Sequence, residues 1–513
     1  MISTLAEPFG AESCESEIKL LQDSYQRFYF SHTPFNERAV QLRHYLFVGR
    51  RGSGKSSLAH YFTFQPHIRN ARCIDLDEPE IYESVLSQIA KTAASTSETA
   101  LPRIVAVWQH ALWSLIFAKY KDYDSEIAAM ATVTSPKNNP ATFLREILKR
   151  LLDKFLSDQQ GQLSQQLEDW LRSDSFESAK AKVLSITKNN PVILAIDSLE
   201  KYSVHNEPMM RATAALIECA SKFNTSYANQ GVHIKLFISA EIFPHLSEAE
   251  ISNSSKYVRN PVYLHWRPKD LMRLVSWRFN EYLASTAEWR QLARSDVDWQ
   301  SHQDVQQKAW NPYFGKTLSN GNGLPEATFP YLLRHTQLRP RQLVILCNQL
   351  AALAIERKEF PYFTSKTIVD AVHQQERHSA EEVLNSYSKV YPNVASIVRA
   401  LERFPVMFNG NELDRIAPST ASQWPANEYS PYAFRRMLAE LGIVGLVRRK
   451  NSVSKVIEAD FEYAIEDRLS LPVSELCVVH PMFFAKLNIK QPQKAIVYPF
   501  PDHPDFHALQ NES

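Results

Sequence analysis

The hydrophobic pattern of the first half of the chain alternates between short apolar runs and longer amphipathic stretches. Helical spacing of apolar positions predicts helices between the runs, and the longest of these helices, at residues 101–119, carries a broad apolar face. A regular alternation of strands and helices is typical of a parallel sheet with helices on both faces, so the predicted fold class is α/β. The apolar runs predict buried strands at residues 44–48, 71–76, 192–197, 232–239 and 262–266.

The pattern becomes mainly helical in the second half of the chain. Apolar positions at helical spacing predict an all-helical lid, which a polar insertion at residues 286–325 interrupts. Near the C-terminus, three predicted helices precede two strand-like runs, at 442–450 and 456–465, and this order is typical of a winged helix. The predicted domains are a helical lead-in at 1–40, an α/β core at 41–266, the lid at 267–385, the winged helix at 386–490 and a tail at 491–513.

Composition narrows the class of protein. The 513 residues are 44% hydrophobic and carry a net charge of +1, so several packed cores are expected and any nucleic-acid binding must come from a local patch. The five cysteines include no C-x-x-C pair and the sixteen histidines no H-E-x-x-H spacing, which indicates reduced thiols rather than a zinc site or disulfides. The polar, acidic N-terminus does not have the pattern of a signal peptide. We expect a cytoplasmic protein without a membrane span.

Residues 49–56 carry the most specific chemistry in the chain. They match G-x-x-x-x-G-K-S, the phosphate-binding loop of nucleotide triphosphatases, and lie between a predicted strand and a predicted helix. Glycines let successive backbone N–H groups point at phosphate oxygens, and the helix start adds its positive dipole end. The motif assigns the β- and γ-phosphates to Lys55 and Mg²⁺ to Ser56, the alternative being a glycine-rich turn without a ligand. The predicted cofactors are therefore ATP and Mg²⁺, and the predicted contacts are Gly49, Arg50, Arg51, Gly52, Ser53, Gly54, Lys55, Ser56 and Ser57.

Two further strand ends supply candidate site residues. The aliphatic run that ends in Asp197 predicts a central parallel strand, which we expect to run beside the strand of the phosphate-binding loop. Because α/β sheets bind ligands at the carboxyl ends of their strands, Asp197 is the candidate Walker B residue, which holds Mg²⁺ through water. Ser239 ends the following predicted strand, where it either lies near the γ-phosphate or only terminates the strand.

Residues of about 40–385 resemble the AAA+ and STAND-type P-loop ATPases, a group that includes Cdc6-like initiators and bacterial ATPases of phage-defence operons. The resemblance rests on the loop at 49–56, on I-L-A-I-D-S-L-E at 193–200, and on the order of sheet, lid and winged helix. The V-G-R-x-G-S-G-K-S loop and the R-P-R sequence at 339–341 are most similar to the defence-type proteins. The resemblance implies a slow ATPase switch that forms homo-oligomers on ATP binding and licenses a partner effector in antiviral defence.

One position departs from the AAA+ pattern. In those enzymes the Walker B Asp is usually followed by a Glu that polarises the attacking water, whereas Ser198 follows Asp197 here. Glu200 lies where Cdc6-like and STAND sequences have their second acid, so it is either the catalytic base or a solvated turn residue. The resemblance also makes Arg341, with Arg339 as second choice, the lid arginine at the γ-phosphate, the alternative being a surface arginine.

The predicted winged helix leaves two kinds of partner open, because its cations alternate with acids. It either contacts DNA phosphates or docks a protein. Three functions follow: an ATP-driven switch with a partner effector, a DNA-binding AAA+ initiator or transposition-type ATPase, and a hydrolysis-deficient nucleotide-binding scaffold. The cations are Arg435, Arg436, Arg448, Arg449, Lys450 and Lys455, and the acids are Glu440, Glu458, Asp460, Glu462, Glu466 and Asp467.

Overall fold

A computed structural model gives the fold of the chain as two compact units. One unit is Pro34–Leu264, and the other combines Met1–Thr33 with His265–Ser513. The smaller unit is therefore inserted, in sequence, into the larger one. The structure describes residues 7–64, 70–75, 87, 100–131, 140–157, 162–197, 203–249, 257–258, 260–321, 323–451, 455–464, 468–490 and 496–500.

The described part of the chain is predominantly helical. Through the inserted unit the α-helices are α1 (Cys14–Leu21), α2 (Tyr25–Phe28), α3 (Pro34–Ala39), α4 (Lys55–Tyr61), α5 (Ala100–Tyr120), α6 (Ser125–Met130), α7 (Pro140–Ser157), α8 (Gln162–Arg172), α9 (Asp174–Thr187), α10 (Glu207–Tyr227) and α11 (Phe243–Ala249). After it they are α12 (Pro268–Ser285), α13 (His302–Val305), α14 (Asn311–Phe314), α15 (Thr328–Leu333), α16 (Pro340–Glu356), α17 (Ser365–Tyr387), α18 (Val394–Val398), α19 (Asn411–Ile416) and α20 (Pro431–Glu440).

The inserted unit is built on a five-stranded sheet. Every strand pairing in it is parallel, in the order β2-β3-β4-β1-β5. Each residue of β1, β3 and β4 is buried, as expected for strands with helices on both faces. The predicted α/β class and parallel sheet are therefore confirmed. The strands are β1 (Leu46–Gly49), β2 (Asn70–Asp75), β3 (Val192–Asp197), β4 (Val232–Ser239) and β5 (Val262–Tyr263).

The strand order corrects one prediction. Strand β4 lies between β1 and β3, so the strand that ends in Asp197 does not run beside the strand of the phosphate-binding loop. An aliphatic run shows that a strand is buried, but its neighbours are set by backbone pairing and by the crossover connections. Both strands still point their carboxyl ends to the same edge of the sheet because all pairings are parallel.

The long apolar helix α5 packs inside the inserted unit. Its Trp108 side chain is fully buried and donates a hydrogen bond of 2.9 Å to the carbonyl oxygen of Ala212 in α10. By length and composition alone, one segment of the described chain, Leu101–Tyr120, is long and apolar enough to cross a membrane. Its most apolar window is 67% buried, which is the pattern of a core helix.

The larger unit contains a second five-stranded sheet, in the order β12-β10-β9-β11-β8. Strands β9 and β10 pair antiparallel over the runs in which the sequence predicts strands, whereas β12 pairs parallel with β10 and lies in the predicted tail. A small hairpin, β6–β7, lies within the segment predicted as an irregular insertion and its boundary. The strands are β6 (Thr317–Ser319), β7 (Pro325–Ala327), β8 (Met407–Asn409), β9 (Val444–Lys450), β10 (Val456–Asp460), β11 (Leu476–Val479) and β12 (Ile496–Tyr498).

One predicted helix of the lid is two helices. The sequence pattern predicts a continuous helix over 329–354, but α15 and α16 are separated by a short bend. Leu338 in this bend has a φ of 54°, which interrupts a right-handed helix, and Pro340 then occupies the first position of α16, where its missing N–H costs nothing.

Buried polar contacts connect the helical segment of the larger unit to the C-terminal sheet. The Gln337 side chain donates 2.8 Å to the carbonyl oxygen of Leu441, and the Tyr387 hydroxyl donates 2.9 Å to the carbonyl oxygen of Glu440. The Tyr498 hydroxyl donates 3.1 Å to the Glu326 carboxylate. Because these groups are buried, breaking their hydrogen bonds would leave polar atoms without partners, which costs free energy. The two segments accordingly belong to a single unit.

Candidate functional site

The loop between β1 and α4 has the backbone that its glycines allow. Gly54, the residue before α4, adopts a left-handed conformation with a φ of 94°, which a residue with a side chain adopts only under strain. At Gly49 the constraint is space, because a β-carbon would lie 2.3 Å from the Ser53 hydroxyl oxygen. The motif glycines are therefore explained by the loop itself, which folds tightly at the carboxyl edge of the sheet.

Lys55 lies against the inside of this loop. Its side chain is buried, and its Nζ atom donates 3.0 Å to the carbonyl oxygen of Gly49 and 3.5 Å to that of Arg50. The ammonium group is thus held at the loop's own peptide groups, and in the motif this lysine is the residue that contacts phosphate oxygens. The lysine is committed to the loop rather than to solvent.

The carboxyl end of β4 meets the loop. Ser239 pairs in register with Gly49, and the N–H of Ala240 donates 3.0 Å to the Gly49 carbonyl oxygen. The Ser239 hydroxyl donates to one carboxylate oxygen of Glu241, and the other oxygen accepts a 3.0 Å hydrogen bond from the backbone N–H of Arg51. Sequence reasoning missed Glu241. Its signal is an acid two residues beyond a predicted strand end, next to a predicted phosphate contact.

Asp197 ends β3 at the same edge of the sheet. Its side chain is 1% exposed, and its backbone pairs in register with Asp75 at the end of β2. Helix α4, whose first turn contains Ser56 and Ser57, packs against β3. Hydroxyl and carboxylate oxygens are among the ligands that Mg²⁺ prefers, so the residue types of Ser56 and Asp197 fit this ion.

The described residues contain no cluster of the side chains that usually bind metal ions. Within the described residues, no group of three or more His, Cys, Asp or Glu side chains is arranged to hold an ion. Mg²⁺ at this edge would have few protein ligands and would take its other oxygens from phosphates and water, as is usual for this ion.

The remaining predicted residues either lie outside the described residues or belong to the other unit. Ser198 and Glu200 lie outside the described residues. Arg339 and Arg341 belong to the larger unit. Arg339 is 1% exposed and donates 2.8 Å to the Gln337 side chain, while Arg341 is partly exposed and donates 2.9 Å to the Glu12 carbonyl oxygen. Their role at the γ-phosphate stays a prediction.

Strand β4 also carries a buried lysine. The Nζ atom of Lys235 donates 2.8 Å to the carbonyl oxygen of Gln41 and 2.5 Å to that of His44, two residues that precede β1. Burial lowers the pKa of Lys235 to about 7, and burial with the neighbouring Lys235 charge lowers the pKa of His233 to about 4. Burial in the sheet thus favours the neutral form of both groups.

The two arginines of helix α20 are engaged inside the larger unit. Arg436 contacts both carboxylate oxygens of Glu462, at 2.5 and 2.7 Å, and Arg435 lies 3.2 Å from the Asp414 carboxylate. The arginine side chains are only 18% (Arg435) and 17% (Arg436) exposed. They hold α20 against its neighbours, and contacting DNA phosphates would require these ion pairs to break.

The cations of the β9–β10 hairpin are more accessible. Arg448 forms an ion pair with the buried Asp460, whereas the Arg449 side chain is 71% exposed and lies 3.7 Å from Glu458. Lys450 at the end of β9 is also exposed. Among the predicted cations, those of the hairpin (Arg448, Arg449, Lys450 and Lys455) are therefore exposed, whereas Arg435 and Arg436 are mostly buried.

Comparisons with known proteins add no relative. No protein-family model matches the chain, and neither the curated proteins nor the solved structures include a significant match. The site is accordingly assigned from its own chemistry, through the loop at 49–56, the carboxyl end of β4 and Asp197.

Proposed function

We propose that the protein is an ATP-binding, slowly hydrolysing molecular switch with a P-loop NTPase core. The observation that carries the proposal is the loop at 49–56, which follows β1 at the carboxyl edge of a parallel sheet and holds the buried Lys55 against its own carbonyl groups. Backbone N–H groups in such a loop and one lysine are suited to a polyphosphate and offer little to an uncharged ligand.

Ser56 and Asp197 are the residues that would hold Mg²⁺. When bound, the ion supplies positive charge that stabilises the transferring phosphoryl group. Lys55 would orient the phosphates, and Asp197 at the end of β3 would fix the ion's water ligands. Because Ser198 stands where AAA+ enzymes have a catalytic Glu, we expect turnover to be slow, with Glu200 as the candidate base. The alternative is a scaffold protein that binds ATP but does not hydrolyse it.

Residues 386–490 would serve as a winged-helix-like docking module. The engagement of Arg435 and Arg436 with acids of the same unit favours a protein partner over duplex DNA. From the resemblance we propose that this partner is an effector in bacterial antiviral defence, that the protein acts in the cytoplasm, and that ATP binding promotes homo-oligomers. Arg341 and Arg339 would sense the triphosphate from the lid.

Titration of the full-length protein with MgATP tests the nucleotide site. Calorimetry should show saturable binding that EDTA weakens, and light scattering should show a higher mass with MgATP than without it. A fluorescent random duplex, titrated in the same buffer, should bind weakly. Absence of nucleotide binding to a folded protein would overturn the proposal, and tight DNA binding would move the protein to the initiator class.

A further inference from the structure

Glu241 places a carboxyl group beside the candidate nucleotide-binding loop. The residue lies in the turn between β4 and α11, and its side chain is 2% exposed. One oxygen accepts the Ser239 hydroxyl, the other accepts the Arg51 backbone N–H at 3.0 Å, and the Glu241 N–H donates 3.2 Å to the Ser239 oxygen. These hydrogen bonds therefore hold the carboxyl group between the end of β4 and the loop that follows β1.

The Arg51 N–H and the Ser239 hydroxyl, which donate to Glu241, belong to residues that are predicted nucleotide contacts. Arg51 is in the phosphate-binding loop, and Ser239 is the candidate neighbour of the γ-phosphate. A carboxylate offers two anionic oxygens to N–H and O–H donors, as a phosphate group does. The hydrogen bond from Ala240 to Gly49 keeps the two segments side by side, so the carboxylate is held at the loop.

We infer that Glu241 is a specificity-determining residue, which selects against ATP relative to ADP by occupying donors that a terminal phosphate needs. This inference rests on the proposed function of the loop. A terminal phosphate must displace the carboxylate or bind beside it, and like charges repel more strongly in a buried site than in water. The terminal phosphate of ATP is the γ-phosphate, which ADP lacks, so ADP meets less of this repulsion. Glu241 thereby raises the ATP concentration at which the switch responds.

The neutral variant Glu241→Gln separates charge from shape. Its side-chain oxygen can still accept from Arg51, but the negative charge is gone. Binding of MgADP and of the magnesium complex of AMP-PNP to the full-length protein is measured by calorimetry. We expect Glu241→Gln to raise the AMP-PNP affinity about tenfold or more, as expected for removal of a nearby like charge, and to change the ADP affinity by less than about threefold.

Two further variants make the outcome decisive. Glu207→Gln removes a carboxylate that is 72% exposed and paired with Arg211 on α10, and it should leave both affinities unchanged. Glu241→Ala, checked for folding by circular dichroism, replaces the first variant if that one does not fold. A wild-type protein that binds both nucleotides, with the same affinity ratio in the Glu241 variants, would overturn this inference alone. A wild-type protein that binds neither nucleotide would overturn the proposed function itself.

Discussion

The Nζ atom of Lys55 donates a 3.0 Å hydrogen bond to the carbonyl oxygen of Gly49, the first residue of its own loop. The bond places the cation of the motif at the end of β1, next to the end of β4. Phosphate oxygens would compete with this carbonyl for the ammonium hydrogens, and a charged acceptor is the stronger one. If the loop binds a nucleotide as we propose, a phosphate oxygen would replace the Gly49 carbonyl oxygen as the acceptor.

Replacement of Lys55 by Ala should abolish measurable MgATP binding. The lost charge-assisted contact is expected to cost about 2–3 kcal/mol or more. Calorimetry on the full-length protein measures the effect, with Lys222→Ala as the matched control because that lysine is 45% exposed on α10. Equal affinity in wild type and Lys55→Ala would contradict the assignment of the loop.

Phosphate release should depend on Asp197 more than on Ser198. Asp197→Ala removes the predicted metal support for the transition state and should abolish turnover, whereas Ser198→Ala should change the rate little. Glu200→Gln identifies the base in single-turnover measurements with labelled ATP. If its rate equals that of the wild type while Asp197→Ala is inactive, Glu200 is not the base.

The buried Lys235 should make the stability of the inserted unit depend on pH. Its pKa falls from 10.5 to about 7 on folding, so between these values the unfolded state binds more protons and the unfolding free energy rises with pH. The slope from one proton is at most about 1.4 kcal/mol per pH unit. We measure the unfolding free energy by urea denaturation at pH 7, 8 and 9. It should rise less steeply with pH for Lys235→Met than for the wild type. An unchanged slope in Lys235→Met, with Lys222→Met as control, would show that Lys235 is charged in the fold.

Removal of Arg436 should destabilise the larger unit rather than affect nucleic-acid binding alone. Arg436→Ala leaves the half-buried Glu462 carboxylate without a bidentate partner, at a cost on the order of 3 kcal/mol. Arg449→Ala, at a 71% exposed position, should cost well under 1 kcal/mol. Chemical denaturation compares the two variants, and equal losses of stability would contradict the internal role of Arg436.

Duplex DNA should bind weakly. With Arg435 and Arg436 engaged, few phosphates can be neutralised at once, so the full-length protein should bind random duplex no tighter than about 10⁻⁶ M near physiological salt. Fluorescence anisotropy at two salt concentrations measures this affinity, and Arg449→Glu with Lys450→Glu should change it only slightly. A nanomolar complex with a steep salt dependence, lost in that double variant, would favour the initiator class.

The strands of the inserted unit were predictable because burial on both faces leaves a local pattern. The run at 232–239 coincides with β4, and the predicted strand end at Asp197 is the observed end of β3. The strand order was not predictable. Strand β4 lies between β3 and β1, but nothing in the apolar run of β3 indicates which strands are its neighbours. Pairing choices depend on the whole sheet rather than on any one segment.

The candidate site divides in the same way. The loop at 49–56 was predictable because its residue types recur at a fixed spacing along the sequence. Glu241 was not, because its function depends on a hydrogen bond to Arg51, a residue far away in sequence that only the pairing of β1 with β4 brings near. The ion pair of Arg436 with Glu462 was not predictable for the same reason, because the two residues are distant in sequence. Only the folded structure shows that this arginine binds an acid of its own unit.

The division of the larger unit between the two chain ends has a consequence for synthesis. Phe9 stacks on Phe279, and Glu17 forms an ion pair with Arg278, so the N-terminal segment finds its partners only after all of Pro34–Leu264 has been made. At ribosomal speeds the wait is on the order of 10 s or longer. Strands β1 to β4 of the inserted unit can pair during that interval, whereas the N-terminal helices must wait with their apolar faces uncovered. A nascent-chain chaperone that binds near the N-terminus would therefore act on the larger unit, although the inserted unit is the first to be complete.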